Sequence, residues 1–222
     1  MEYTIVRSER KTVGWVVVDG VLEVRAPHNM RKSQIELLIA SKDNIIQKKL
    51  AESLVRKEQR KNFVLHYDME IPYRGRLYPI VARTGNRIGY EDSFFVPPGL
   101  DQVQIQDCCI SIYRMLAKTY LSKRCGELAE AVGTSPSQVR ISSARTNWGS
   151  CSAKGTISFT WKLIMADDDL IDYVIIQELV HLREYNHLEK FWKIVAQAVP
   201  DYQERRSRIR ELEHVLAGQN WE

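Results

Sequence analysis

The sequence predicts a mixed α+β fold in two stretches, and two observations carry that reading. Residues 1–100 alternate strand-like runs with one long helical stripe, and Pro97-Pro98-Gly99 closes them. Residues 101–222 are governed by helical spacing, with strand-like runs on either side of one turn. A chain of 222 residues is long enough to bury a sizeable core in one domain or two small ones.

Thr4 to Arg7, Gly14 to Val18 and Leu22 to Arg25 carry strand-forming residues. Asp19-Gly20 between the last two is a hairpin-turn signal, so the opening reads as a β meander. Ser33-Gln34-Ile35-Glu36 has the pattern of a capping box. Ile35, Leu38, Ile39, Ile45, Ile46 and Leu50 follow at helical spacing, which predicts one helix from about Lys32 to Arg60. Ile71 to Tyr73 and Leu77 to Ala82 read as strands joined by a turn at Arg74-Gly75. From Val103 an apolar stripe at 105, 108, 109, 112, 115 and 116 predicts helix over about Leu100 to Ala131, with Gly126 a point of interruption. Val139 to Ala144 and Thr156 to Leu163 read as strands flanking the turn Ser152-Ala153-Lys154-Gly155. Asp167, Asp168 and Asp169 suit a helix N-terminus, where the helix dipole favours negative charge. Pro200-Asp201 and Glu204 announce the last helix.

Composition narrows the class. Apolar residues make up 44% and charged residues 27%, as in ordinary globular proteins. No apolar run approaches the roughly 20 residues of a membrane span, and the early charged residues do not make a signal peptide. Cys108, Cys109, Cys125 and Cys151 contain no CxxC pair, so the expectation is a reduced, cytoplasmic protein with small buried thiols. Residues 1–100 hold 17 Lys and Arg against 12 Asp and Glu, a balance of +5, and residues 101–222 hold 15 against 16, a balance of −1. Much of the excess lies in Lys48 to Lys61 and reads as a solvated helix face; a nucleic-acid binder would carry a stronger bias. Arg205, Arg206, Arg208 and Arg210 interleave with acids and read as another exposed charged face.

The chemistry-bearing stretch is Gln177-Glu178-Leu179-Val180-His181-Leu182-Arg183-Glu184-Tyr185-Asn186-His187. On a helix, positions 177 and 181 share a face one turn apart. That is the layout of the His-Glu-x-x-His metal helix, in which two imidazoles take zinc and the Glu acts on bound water. Here Gln177 stands at the first ligand position. A Glu and a His on one helix are also common on solvated surfaces, and the short pattern alone does not discriminate. His187 does. Six residues after His181, it returns to that face only if the chain turns, and Asn186 suits the turn. Asn186 and Glu189 then read as cap and N3 of a following helix that carries Phe191, Trp192, Ile194 and Val195. Trp161 and Trp192 read as core aromatics, and Cys151 as a structural thiol.

Residues 145–192 resemble the YgjP-like family of predicted metal-dependent hydrolases, related to the SprT-like and WLM metallopeptidases. The resemblance rests on Asn147-Trp148-Gly149-Ser150-Cys151-Ser152, Gly155, Ile157, Trp161, Leu163, Asp172-Tyr173-Val174, Glu178-Leu179-Val180-His181-Leu182, Asn186-His187 and Phe191-Trp192. It implies a zincin-like metal-helix domain over 101–222, preceded by a β-rich region with a basic helix over 1–100. It implies one zinc on three His, with Glu178 as general base. Family members carry His at the position of Gln177, and a neutral amide is a poorer zinc ligand than imidazole. The ligand set implied here is therefore His181, His187 and Gln177, with zinc weakly held or absent. Met165-Ala166 also lacks a Pro often seen in that loop. The expected function is hydrolysis of a peptide bond, reduced or absent because of Gln177. The alternatives are hydrolysis of a nucleotide phosphoanhydride, for which no Walker-type loop is present, and non-catalytic binding.

Overall fold

The structure, a computed structural model, describes residues 2–221. The chain forms two compact units: one runs to Val64 and takes in His214–Asn220, and the other is Leu65–Glu213 with Trp221. The mixed α+β class expected from the sequence is what is observed.

In the first unit, β1 (Tyr3–Ser8), β2 (Gly14–Val18) and β3 (Val21–Pro27) form a sheet in the order β1-β3-β2. Asp19 and Gly20 have φ of 52° and 80°, the left-handed pair that turns β2 tightly into antiparallel β3. The opening is nevertheless not a meander, because β1 pairs parallel to β3. Leu22, Val24 and Ala26 of β3 are completely buried, so the strand that pairs on both edges also carries the buried face. The single helix expected over 32–60 is two, α1 (Lys32–Ser41) and α2 (Asp43–Asn62). Ile35, Ile39 and Ile46 hold one apolar stripe across the break, and for that reason spacing alone reads as continuous. The break lies in the backbone, where the Lys42 N–H donates to Ile39 O, a tightened turn. The cap also lies earlier than Ser33: Gln34 Oε1 accepts from the Arg31 N–H at 3.1 Å.

In the second unit, β4 (Glu70–Tyr73), β5 (Arg76–Ala82), β6 (Gly89–Tyr90) and β7 (Phe94–Val96) pair in the order β4-β5-β7-β6. β6 and β7 are too short for periodicity to reveal. Helix α3 (Gln102–Val132) is continuous through Gly126, opens on an Asp101–Gln104 capping box and stops at Gly133, whose φ is 70°. A third sheet, β8 (Gln138–Ser142), β9 (Gly149–Cys151) and β10 (Thr156–Thr160), has the order β8-β10-β9. The turn at 152–155 therefore joins β9 to β10, while β8 runs parallel to β10. The strand expected to reach Leu163 ends at Thr160, where Trp161–Met165 form a 3-10 helix. Helices α4 (Asp168–Val180), α5 (Glu189–Ala198) and α6 (Tyr202–Ala217) complete the chain. No helix among the described residues is long and apolar enough to cross a membrane.

Helix α4 is tied down at its acidic end. Asp167 caps it by accepting from the Leu170 N–H at 3.0 Å. Arg74 holds Asp168 through two bonds of 2.7 and 2.5 Å, and Tyr120 donates to the same carboxylate at 2.9 Å. Arg124 holds Asp172 in the same two-pronged way at 2.7 and 2.6 Å. The arginines expected on an exposed face take part: Arg208 bonds Asp167, and Arg205 donates to Asp169 O at 3.0 Å. Long guanidinium stems let them reach acids that sequence proximity does not reveal. Because the Arg124–Asp172 pair is partly open to water, Arg124→Ala is expected to cost about 1 kcal/mol in urea denaturation. A loss above about 3 kcal/mol would mean that the pair behaves as a fully buried one.

Candidate metal centre

Helix α4 presents Glu178 to β9. Gly149 is the contact point: a Cβ placed there would lie 2.6 Å from Glu178 Cγ and 2.9 Å from Oε1. The strand backbone passes directly over the carboxyl group, and any side chain at 149 would have to push the Glu178 side chain aside. Helix α4 packs against β9, and just beyond that strand pair the Thr160 N–H donates to Trp148 O at 2.9 Å. Burial pushes the Glu178 pKa up to about 7.

A raised carboxyl pKa favours folding while the group is neutral in both states. That advantage is lost as pH rises from the ordinary Glu range through about 7. Glu178→Gln is therefore expected to unfold like the parent near pH 4 and to be more stable at pH 8, by at most about 3 kcal/mol. Equal stability at both pH values would place the carboxyl in water.

The backbone turn from Gln177 to His181 is intact, with the His181 N–H donating to Gln177 O at 3.2 Å. The chain then tightens: Leu182 bonds back to Leu179 O, and Arg183 and Glu184 both bond back to Val180 O. This fold-back brings the His187 ring to 4.6 Å from the His181 ring, centroid to centroid. Asn186 lies in the bend but does not cap α5. Its carbonyl accepts from the Leu188 N–H, and Leu188, with no side-chain acceptor, takes the cap position. The helix thus starts two residues later than the Asn186–Glu189 spacing suggests.

His181 Nδ1 lies 3.0 Å from Glu184 O. A carbonyl only accepts, so Nδ1 carries the proton, and in the neutral ring the lone pair is then on Nε2, the tautomer of a metal-ligating His. Sequence reasoning missed this role of the Glu184 backbone; the Glu184 side chain is ion-paired with Lys190. Fully buried Phe191 packs against both imidazoles, at 4.7 Å from His181 and 4.5 Å from His187. Burial, His181 and the Arg206 guanidinium all hold the His187 pKa below its ordinary value. Gln177 is half-buried one turn back, and among the described residues its amide makes no hydrogen bond.

Cys109 and Cys125 are buried, and Cys108 and Cys151 are partly open. Burial and the neighbouring Glu178 raise the Cys151 pKa, so it stays a thiol rather than a nucleophilic thiolate. Among the described residues no group of three or more His, Cys, Asp or Glu could hold a metal. Two imidazoles meet, and the residue one helical turn before His181 is an amide, Gln177. The donors do not fit a three-imidazole zinc centre.

The model of the YgjP-like metallopeptidase domain matches residues 11–212. A crystal structure of the metallopeptidase zymogen of Pyrococcus abyssi abylysin is similar to 40% of this chain and 90% of its own, at 24% identity and a TM-score of 0.38. No curated protein matches the chain.

Proposed function

We propose a function from one premise: this chain belongs to the YgjP-like family of metallopeptidase domains. It is a metal-dependent hydrolase scaffold of the peptidase type whose site is degenerate at Gln177, so that zinc is weakly held and hydrolysis is slow or lost. The observation that carries this reading is the approach of His181 and His187 to 4.6 Å beside a helix that also buries Glu178. Glu178 is the proton-handling residue of that scaffold, seated against Gly149. His181 and His187 are the donors, and Gln177 is the incomplete third position. A peptide substrate is favoured by the bend itself, where Tyr185 and Leu188 are 68% and 69% exposed and offer apolar contacts. A nucleotide phosphoanhydride is less well served. Lys190 beside the site is paired with Glu184, and Arg206 lies over the Trp192 ring.

The test is metal analysis of protein purified without added zinc, followed by peptide and nucleotide panels with zinc supplied. We expect well under one zinc per chain, and products, if formed, from the peptide panel. One tightly held zinc per chain would overturn the degenerate reading. Products from nucleotides alone would establish phosphoanhydride hydrolysis instead. Tight peptide binding with no product in the Gln177→His variant as well would establish a non-catalytic binding protein.

A further inference from the structure

His187 sits on the exposed bend between α4 and α5, outside either helix, so no helical ladder fixes its backbone. Its ring is held by other rings. Phe191 meets it edge-on at 4.5 Å and 76°. Trp192 lies nearly parallel to it, at 5.7 Å and 29°. Behind Trp192, the Tyr202 ring of α6 is stacked at 5.2 Å and 21°. The Arg206 guanidinium, also on α6, lies 4.9 Å from the Trp192 centroid. The column His187–Trp192–Tyr202 therefore runs from the bend to a helix.

An imidazole lone pair lies in the plane of its ring, so ring orientation decides where the nitrogen points. The torsion that rotates the ring is broad and weakly restrained by itself. His181 is oriented by its bond to Glu184 O, whereas among the described residues His187 has no hydrogen bond of that kind. We propose that Trp192, backed by Tyr202 and Arg206, is the positioning residue that holds the His187 imidazole in register with His181. The proposal rests on the two-imidazole site described above. It also corrects the reading of Trp192 as a core aromatic, since the ring is only partly buried.

The test uses the full chain and two readouts. The first is the NMR shift of the His187 ring protons at one pH, which a stacked indole moves upfield whether or not metal binds. The second is Ni2+ affinity, with the metal alone as the probe for a pair of imidazoles. Trp192→Leu should return the His187 shifts toward those of a free imidazole and weaken Ni2+ by about tenfold, the scale of losing an orienting partner. Trp192→Phe, which keeps a flat ring, should restore most of both. Tyr202→Leu leaves Trp192 in place and should give an intermediate change, and it decides the matter if Trp192→Leu does not fold. Unchanged His187 shifts in Trp192→Leu, or in Tyr202→Leu where that variant decides, would overturn the proposal. Shifts that move in Tyr202→Leu, where the indole is kept, while no variant binds Ni2+ would uphold the positioning role and remove the metal-site reading instead.

Discussion

Gln177→His is expected to bind one zinc per chain at least about 100-fold more tightly than the parent. The scale follows from ligand shells: losing an orienting partner costs roughly 10–100-fold, and a directly bonded donor counts for more. The substitution exchanges a neutral amide for an imidazole at a position one turn from His181. The helix has no reason to change, because both residues tolerate a helix interior at similar cost. The Gln177 carbonyl that receives the His181 N–H is backbone and is kept. Competition against a chromophoric chelator measures the gain. Glu178→Gln in that background should retain the metal, since Glu178 is none of the three donors, while any hydrolysis gained with the third imidazole is lost. A Gln177→His chain with the parent's zinc affinity would mean that position 177 does not face the histidine pair.

Trp161→Ala is expected to give the largest stability loss, about 3–5 kcal/mol in urea denaturation. Trp161 is 2% exposed and opens the 3-10 helix that follows β10. Its ring stacks on Tyr113 at 5.7 Å and meets Trp221 edge-on at 6.2 Å. Tyr113 is fixed in turn, because its hydroxyl donates to Pro72 O at 2.6 Å. Removing the indole leaves a void among rings that cannot all move inward. The same 3-10 segment receives the Arg74 N–H at Ile164 O, so the damage reaches the turn that grips Asp168. A loss below about 1 kcal/mol would show that the surrounding rings collapse freely into the gap.

Local signals were legible wherever one short stretch sets its own conformation. Asp19-Gly20 and Arg74-Gly75 form their turns, with positive φ at all four positions. The acidic run at 167–169 starts α4, and the aligned positions 177 and 181 follow from helical spacing alone. The candidate site could be named for the same reason, since its three proposed donor positions and Glu178 lie within eleven residues. What spacing missed were features decided by partners distant in sequence. β1 joins β3 in parallel, pairing Tyr3 with Leu22 through Ser8 with Pro27, a register that no single stretch encodes. The stripe 35–39–46 looks the same with or without a break at Lys42.

By itself the sequence determined the α+β class, the helix that bears Glu178 and His181, and the need for a turn before His187. Only the tertiary structure decided what surrounds those side chains. It laid the Gly149 backbone on Glu178, gave Glu184 O to His181, and ran a column of rings from His187 to α6. Those contacts join β9, α5 and α6 to α4. The reason is physical. Periodicity records which face of an element is apolar, but a carboxyl's desolvation and an imidazole's orientation depend on the atoms that arrive from other elements when the chain packs.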